Sequence, residues 1–149
     1  GSGPVIYFRI SQHGIWAGFR PGGRRDLKVG PIQQAIRSNS RLFQRYLDSR
    51  RIYDRYFELS GFEDGNTTRW PLPKTARKWS VMDGFMIGES FQASDPILAR
   101  RTFLDRAQEV FLDLYPLWIF AGSDRIKEDM DLYGENAQLL SRPISKAAD

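Results

Sequence analysis

One long apolar stripe, starting at Thr102, constrains the fold more than any other feature, because it has to be covered. Phe103, Ala107, Val110, Phe111, Leu114 and Leu117 recur at three- and four-residue spacing, while Asp105, Arg106, Glu109 and Asp113 fall largely off the stripe. That is the pattern of a helix with one buried side. Thr102 with Asp105 approximates a capping box, and Asp95-Pro96 offers a preceding turn. Pro116 lacks the N–H that an interior helical residue donates, so the helix is expected to bend or end near Tyr115. Leu117, Trp118, Ile119 and Phe120 then form a short buried piece.

The cover for that stripe is sought in short alternating segments. Val5 to Ser11 alternates β-branched and aromatic residues, Gln12-His13-Gly14 marks a turn, and Ile15 to Phe19 supplies a second strand, together a β-hairpin ended by Pro21-Gly22-Gly23. Helical spacing follows at Val29, Ile32, Ala35 and Ile36, and again at Leu42, Phe43, Tyr46 and Leu47, with Asn39 or Ser40 as cap. A third strand is expected within Tyr53 to Phe62 and a fourth from Phe85 to Phe91. Trp70-Pro71-Leu72-Pro73 is an extended loop, since each proline disfavours helical geometry before it, and Thr75 to Ser80 makes one helical turn. The expected architecture is α+β: a small antiparallel sheet of the hairpin and two later strands, packed on one face by helices.

A chain of 149 residues with 41% apolar content supports one core without staples. Residues 1–121 are expected as the domain, with Gly1-Ser2-Gly3 resembling a tag remnant. Residues 122–149 are expected as a polar extension with one weak helix around Lys127 to Tyr133. With no cysteine there is no disulfide framework and no thiolate chemistry, which fits a cytoplasmic location. The longest apolar run, Leu114 to Ala121, falls short of the roughly 20 residues of a membrane span, so no membrane partner is expected.

Charge is unevenly placed. Up to Ser80 there are fifteen Lys and Arg against six Asp and Glu; from Val81 onward there are seven against twelve. Arginine dominates, and its planar, permanently charged fork suits phosphate and carboxylate. Arg20, Arg24 and Arg25 flank two glycines at the end of the hairpin, where backbone N–H groups and guanidiniums could converge on an anion. Arg37, Arg41, Arg45, Arg50 and Arg51 recur at near-helical spacing beside Tyr46 and Tyr53. Such a strip suits an acidic macromolecule, protein or nucleic acid. The competing reading is internal: the acidic side of the Thr102 helix, or Asp124, Glu128, Asp129 and Asp131, could neutralise the same arginines.

Catalytic signatures are missing. His13 is the single histidine and is expected to be an exposed turn residue, so neither a metal centre nor a cofactor is expected. Glu58, Glu63, Asp64, Asp83 and Glu89 could line a cleft, but nothing in their spacing makes a pair. Trp16 and Trp118 are expected in the core and Trp70 as a loop anchor.

The order Tyr7-Phe8-Arg9-Ile10, Ile15-Trp16-Ala17-Gly18-Phe19-Arg20-Pro21, Ser38-Asn39-Ser40-Arg41-Leu42-Phe43, Ser90-Phe91 and Leu114-Tyr115-Pro116-Leu117 resembles the later two-thirds of a bacterial family, domain of unknown function 2461. The likeness runs from about Val5 to Phe120, without the Arg/Asp/Lys/Tyr-rich signature that the family carries ahead of its hairpin; Asp83-Gly84 also stands where basic residues are expected. It implies a fold and no established activity. The functional expectation is therefore a non-catalytic binding module with an arginine-rich surface. The alternatives are an enzyme or enzyme remnant acting on a phosphorylated small molecule through Arg20, Arg24 and Arg25, and a subunit of a larger assembly meeting its partner through Leu117 to Phe120.

Overall fold

The computed structural model describes residues 3–21, 30–62, 64–83 and 85–140, with side chains as far as residue 137. The chain opens with the hairpin β1 (Val5–Ser11) and β2 (Gly14–Arg20), followed by α1 (Gly30–Ser38), α2 (Ser40–Arg50) and the single turn α3 (Ile52–Arg55). A second hairpin, β3 (Phe57–Ser60) and β4 (Thr68–Pro71), leads through the short α4 (Ala76–Trp79) to β5 (Ile87–Gln92). A 3-10 turn (Pro96–Ala99) precedes the long α5 (Thr102–Gly122) and then α6 (Ile126–Leu140). The strands make one antiparallel sheet in the order β1-β2-β5-β3-β4, so the fold is α+β.

Register assigns the two sheet faces. Phe8 lies opposite Ala17 and Ala17 opposite Glu89, which puts Ile6, Phe8, Ala17, Phe19, Ile87, Glu89 and Phe91 on the face turned to the helices. There Ala17, Phe19 and Ile87, with Ile6 packed against them, join Ile32, Ile36, Phe43, Leu47, Trp79, Val110, Leu114 and Phe120 in the main core. Phe43 is its aromatic hub, meeting Tyr46, Trp79 and Phe120 edge-on at 4.9–5.6 Å. The opposite face carries Tyr7, Trp16, Gly18, Arg20, Gly88 and Ser90.

The β3–β4 connection packs on that second face. Phe62, in the β3–β4 connection, packs edge-on against Trp16 at 4.9 Å, and the Trp16 indole N–H donates to Thr67 Oγ1 at 3.0 Å. Gly18 and Gly88 face each other across β2 and β5, and a Cβ on either would fall 2.1–2.2 Å from the opposing backbone oxygen. Only glycine permits this approach.

Five expectations need correction. The Tyr53 end of the expected third strand is helical, because α3 turns the chain before β3 begins at Phe57. The Trp70-Pro71 stretch is a strand, β4, which holds its proline at the last position of an edge strand. Thr102 is not a cap: Arg101 occupies that position with no side-chain bond, after a turn in which Phe103 N–H donates to the Arg100 carbonyl. Finally, α5 runs through Pro116 to Gly122. Pro116 cannot donate to the carbonyl of Leu112 four residues back, and the Tyr133 hydroxyl of α6 donates to that carbonyl instead, at 2.7 Å. Leu117, Ile119 and Phe120 are buried in the core, whereas Trp118, expected there, is 38% exposed and stacks on Tyr115.

Candidate functional site

Two places gather charged or polar side chains: a cluster around Asp113 on α5, and a cavity where the β1–β2 turn meets the β3–β4 connection.

The first begins with a backbone detail. Arg51 adopts the left-handed region (φ 52°), its N–H closes α2 on the Leu47 carbonyl, and the chain restarts as α3. Arg50, Arg55 and Tyr56 thereby reach Asp113, whose side chain is fully buried (0% exposed). Arg50 donates to Asp113 Oδ1 through Nε at 2.9 Å and Nη2 at 2.8 Å. Arg55 Nη1 lies 2.9 Å from Oδ2, and the Tyr56 hydroxyl donates to the same oxygen at 2.5 Å. The Tyr46 hydroxyl donates to the Asp113 backbone carbonyl at 2.6 Å.

A second layer continues the chain of charges. Glu109, one turn before Asp113, takes Arg55 on Oε1 and Arg106 on Oε2, the latter at 2.7 Å; Arg106 Nη2 reaches Glu89 of β5 at 2.5 Å. Three arginines thus meet three carboxylates, and the cluster is neutral. Burial alone would raise the Glu109 carboxyl, but Arg106 and Arg55 outweigh it and hold it below its usual range. Burial, then the Asp113 charge and hydrogen bond, push the Tyr56 phenol far up, so it stays a donor. Arg50, Arg55, Arg106 and Glu109 of this cluster line a groove of about 1270 Å³ between α5 and α6. Chemically it is a compensated ion network.

The expected anion-binding arginines divide accordingly. Arg50 binds Asp113, and the exposed Arg51 pairs with Asp54 at 2.5 Å. Arg37 donates to the Ser80 carbonyl at 3.0 Å. Arg41 and Arg45, one turn apart on α2, are exposed and have no carboxylate partner among the described residues, as is also true of Arg77 and Lys78 on α4. Arg20 sits at the end of β2 with its Nε buried and without a hydrogen-bond partner, as is Tyr7 Oη on the same sheet face. Burial pushes the Tyr7 phenol up to about 12 against the charges of Arg9 and Arg20. Arg24 and Arg25 lie outside the described residues.

Of the carboxylates considered, Glu63 lies outside the described residues and Glu89 is bound to Arg106. The Glu58 carboxyl is raised by burial and then by the charge of Asp83. Among the described residues no group of three or more His, Asp or Glu could hold a metal ion, and no helix is long and apolar enough to cross a membrane.

The second place is a polar cavity of about 190 Å³ walled by His13, Trp16, Asn66, Thr67, Arg69 and Ser90, among others. Gly65 adopts a left-handed conformation (φ +73°) beneath the His13 ring, and a Cβ there would fall 2.9 Å from it. Arg69 crosses from β4 to donate to the Ser90 carbonyl at 3.1 Å, while Ser90 Oγ is buried without a hydrogen-bond partner.

Reasoning from sequence missed Asp113 as the centre of the first cluster, although the signal was present: Asp113 follows Val110 by three residues and precedes Leu117 by four, in register with the apolar stripe. A carboxylate at such a position has to be paired. Family models, curated proteins and solved structures were compared with this chain, and none matches.

Proposed function

We propose that this chain is a non-catalytic binding module that engages an acidic macromolecular partner through the cationic side of α1, α2 and α4. The observation that supports it is the division of the arginines. Arg50, Arg51, Arg55 and Arg106 are neutralised within the molecule, whereas Arg41, Arg45, Arg77 and Lys78 are exposed with no carboxylate among the described residues bound to them. Packing brings these elements together, since Arg37 reaches the Ser80 carbonyl beyond α4, and Gln44 of α2 holds α4 by donating to the Lys74 carbonyl and accepting from Ala76 N–H. Unpaired guanidiniums keep their full capacity for phosphate or carboxylate, and they raise the encounter rate with an anionic surface. The cysteine-free composition agrees with a reducing cytoplasm as the place of action. The family likeness, kept as a proposal of descent, adds no activity.

The test is binding of labelled duplex and single-stranded nucleic acid, and of an acidic peptide, across a salt series. The expected result is an affinity that falls steeply with salt and drops at least about tenfold in the triple variant Arg41→Glu, Arg45→Glu, Arg77→Glu. Absence of binding at low salt, or a triple variant that binds as well as the parent, overturns the reading.

A further inference from the structure

The cavity between the β1–β2 turn and the β3–β4 connection is independent of the cationic helices, and its walls have a definite chemistry. Among the described residues that line it there is no Asp or Glu; the polar lining is Ser11, His13, Asn66, Thr67, Arg69, Ser90 and Gln92. A cation would find no charged ligand among these. An anion would find the Arg69 guanidinium, which has one N–H on the Ser90 carbonyl and no carboxylate among the described residues bound to it, so most of its five donors are uncommitted among these. Ser90 Oγ is a buried hydroxyl with no hydrogen-bond partner, a group whose desolvation is uncompensated until an acceptor reaches it.

Other groups in the walls are fixed rather than available. Thr67 Oγ1 accepts from the Trp16 indole, and Ser11 Oγ accepts from His13 N–H, which anchors the turn carrying the imidazole. The imidazole lies over Gly65, where a larger residue would displace it. A few convergent polar groups in a concave site are what fix the orientation of a small ligand.

We propose that this cavity is a binding site for a small oxyanion, a phosphate or carboxylate group, with Arg69 as the charged anchor, Ser90 Oγ as an inner donor and His13 closing the turn side. Arg69 provides charge and two parallel N–H groups; Ser90 offers a short O–H bond to the same ligand. The ligand occupies the space between the two hairpins, so binding also ties the β3–β4 connection to β2.

Inorganic phosphate is the probe, titrated into the full chain at constant ionic strength with chloride as the exchanged ion, and read by thermal midpoint and by backbone amide NMR shifts. Expected is a saturable rise in midpoint, with the largest amide shifts at Gly14, Gly65 and Ser90. Arg69→Gln is expected to weaken apparent affinity at least about tenfold and Ser90→Ala about threefold. Acetate and sulfate arms distinguish carboxylate from tetrahedral preference. A response equal to that of chloride, or one unchanged in both variants, overturns the proposal. Amide shifts confined to the residues around Arg41 and Arg45 overturn it too, and would assign the phosphate to the cationic helices. Should Arg69→Gln fail to fold, the shift map of the parent and Ser90→Ala decide. Arg41→Glu, Arg45→Glu is expected to leave the phosphate response of the cavity intact, so this proposal and the binding-module reading fail separately.

Discussion

The arginines at the two ends of α2 differ in everything except their chemistry. In its first half Arg41 and Arg45 stand in solvent with no carboxylate among the described residues beside them; at its end Arg50 binds the fully buried Asp113 together with Arg55 from α3, and Arg106 of α5 extends the network through Glu109. The helix itself does not set this difference. Arg50 lies on the side of α2 that faces α5, in register with Phe43, Tyr46 and Leu47, and burial there is possible only with a counter-charge. The comparison teaches that a run of arginines at helical spacing is not one surface. Its members are sorted by what the packed neighbour offers.

The largest expected effect breaks the buried end. Asp113→Asn removes the charge shared by Arg50 and Arg55 while keeping the volume. Uncompensated guanidiniums at the edge of the core should lower stability by about 3 kcal/mol in urea unfolding. Whether the cluster is structural is then decided by combining Asp113→Leu with Arg50→Met and Arg55→Met, which removes all three charges together. Recovery of most of the loss is the expected outcome, because a fully satisfied ion network and a packed apolar one are often of similar stability. A combined variant as unstable as Asp113→Asn would show that the carboxylate does more than neutralise arginines.

Next in size is the tie between α6 and the proline of α5. Tyr133→Phe leaves the Leu112 carbonyl without the donor that replaces the missing Pro116 N–H, and about 1 kcal/mol of stability should be lost. The same residue gives an alkaline signature. Burial pushes the Tyr133 phenol up from its ordinary 10 to about 12, and Tyr7 likewise, so the unfolded chain ionises first. Stability held by the neutral phenols is complete below pH 10 and is lost as pH rises toward 12. Phenolate absorbance should therefore appear together with unfolding, and Tyr133→Phe should flatten the pH dependence over that window. Independent titration of all six tyrosines at pH 10, with the fold intact, would contradict the burial described here.

Much of this architecture was readable in advance for physical reasons. The β1–β2 hairpin, α1, α2 and β5 each carry a period that matches one buried face, and the structure keeps them within one to three residues of the expected ends. The failures share a cause: the deciding partner lies outside the segment itself. Pro116 is tolerated in α5 because Tyr133 supplies a donor, β4 exists because β3 pairs with it, and α3 forms because Arg51 turns the chain toward α5. The candidate site was legible only as a residue type. Which arginines are free depends on Asp113, which counts as polar by composition yet lies on the apolar stripe by position.

The smallest effect on stability sharpens the comparison most. Arg41→Ala with Arg45→Ala removes two exposed guanidiniums that make no ion pair, so folding free energy should change by no more than about 0.5 kcal/mol. Arg45 has acidic neighbours across a groove, Asp131 and Glu135 of α6, but neither reaches ion-pair distance, and in water such separated charges are largely screened. Affinity for an acidic partner should nevertheless fall, and the dependence of log affinity on log salt should become shallower by nearly one unit per arginine removed if that partner is duplex DNA. The two halves of the result are what matter together. A double variant that loses stability as Asp113→Asn does would mean that these arginines, too, are committed inside the molecule, and the division of α2 into a structural end and a binding end would be lost. A variant that keeps both stability and the full salt slope would place the binding surface elsewhere on the chain.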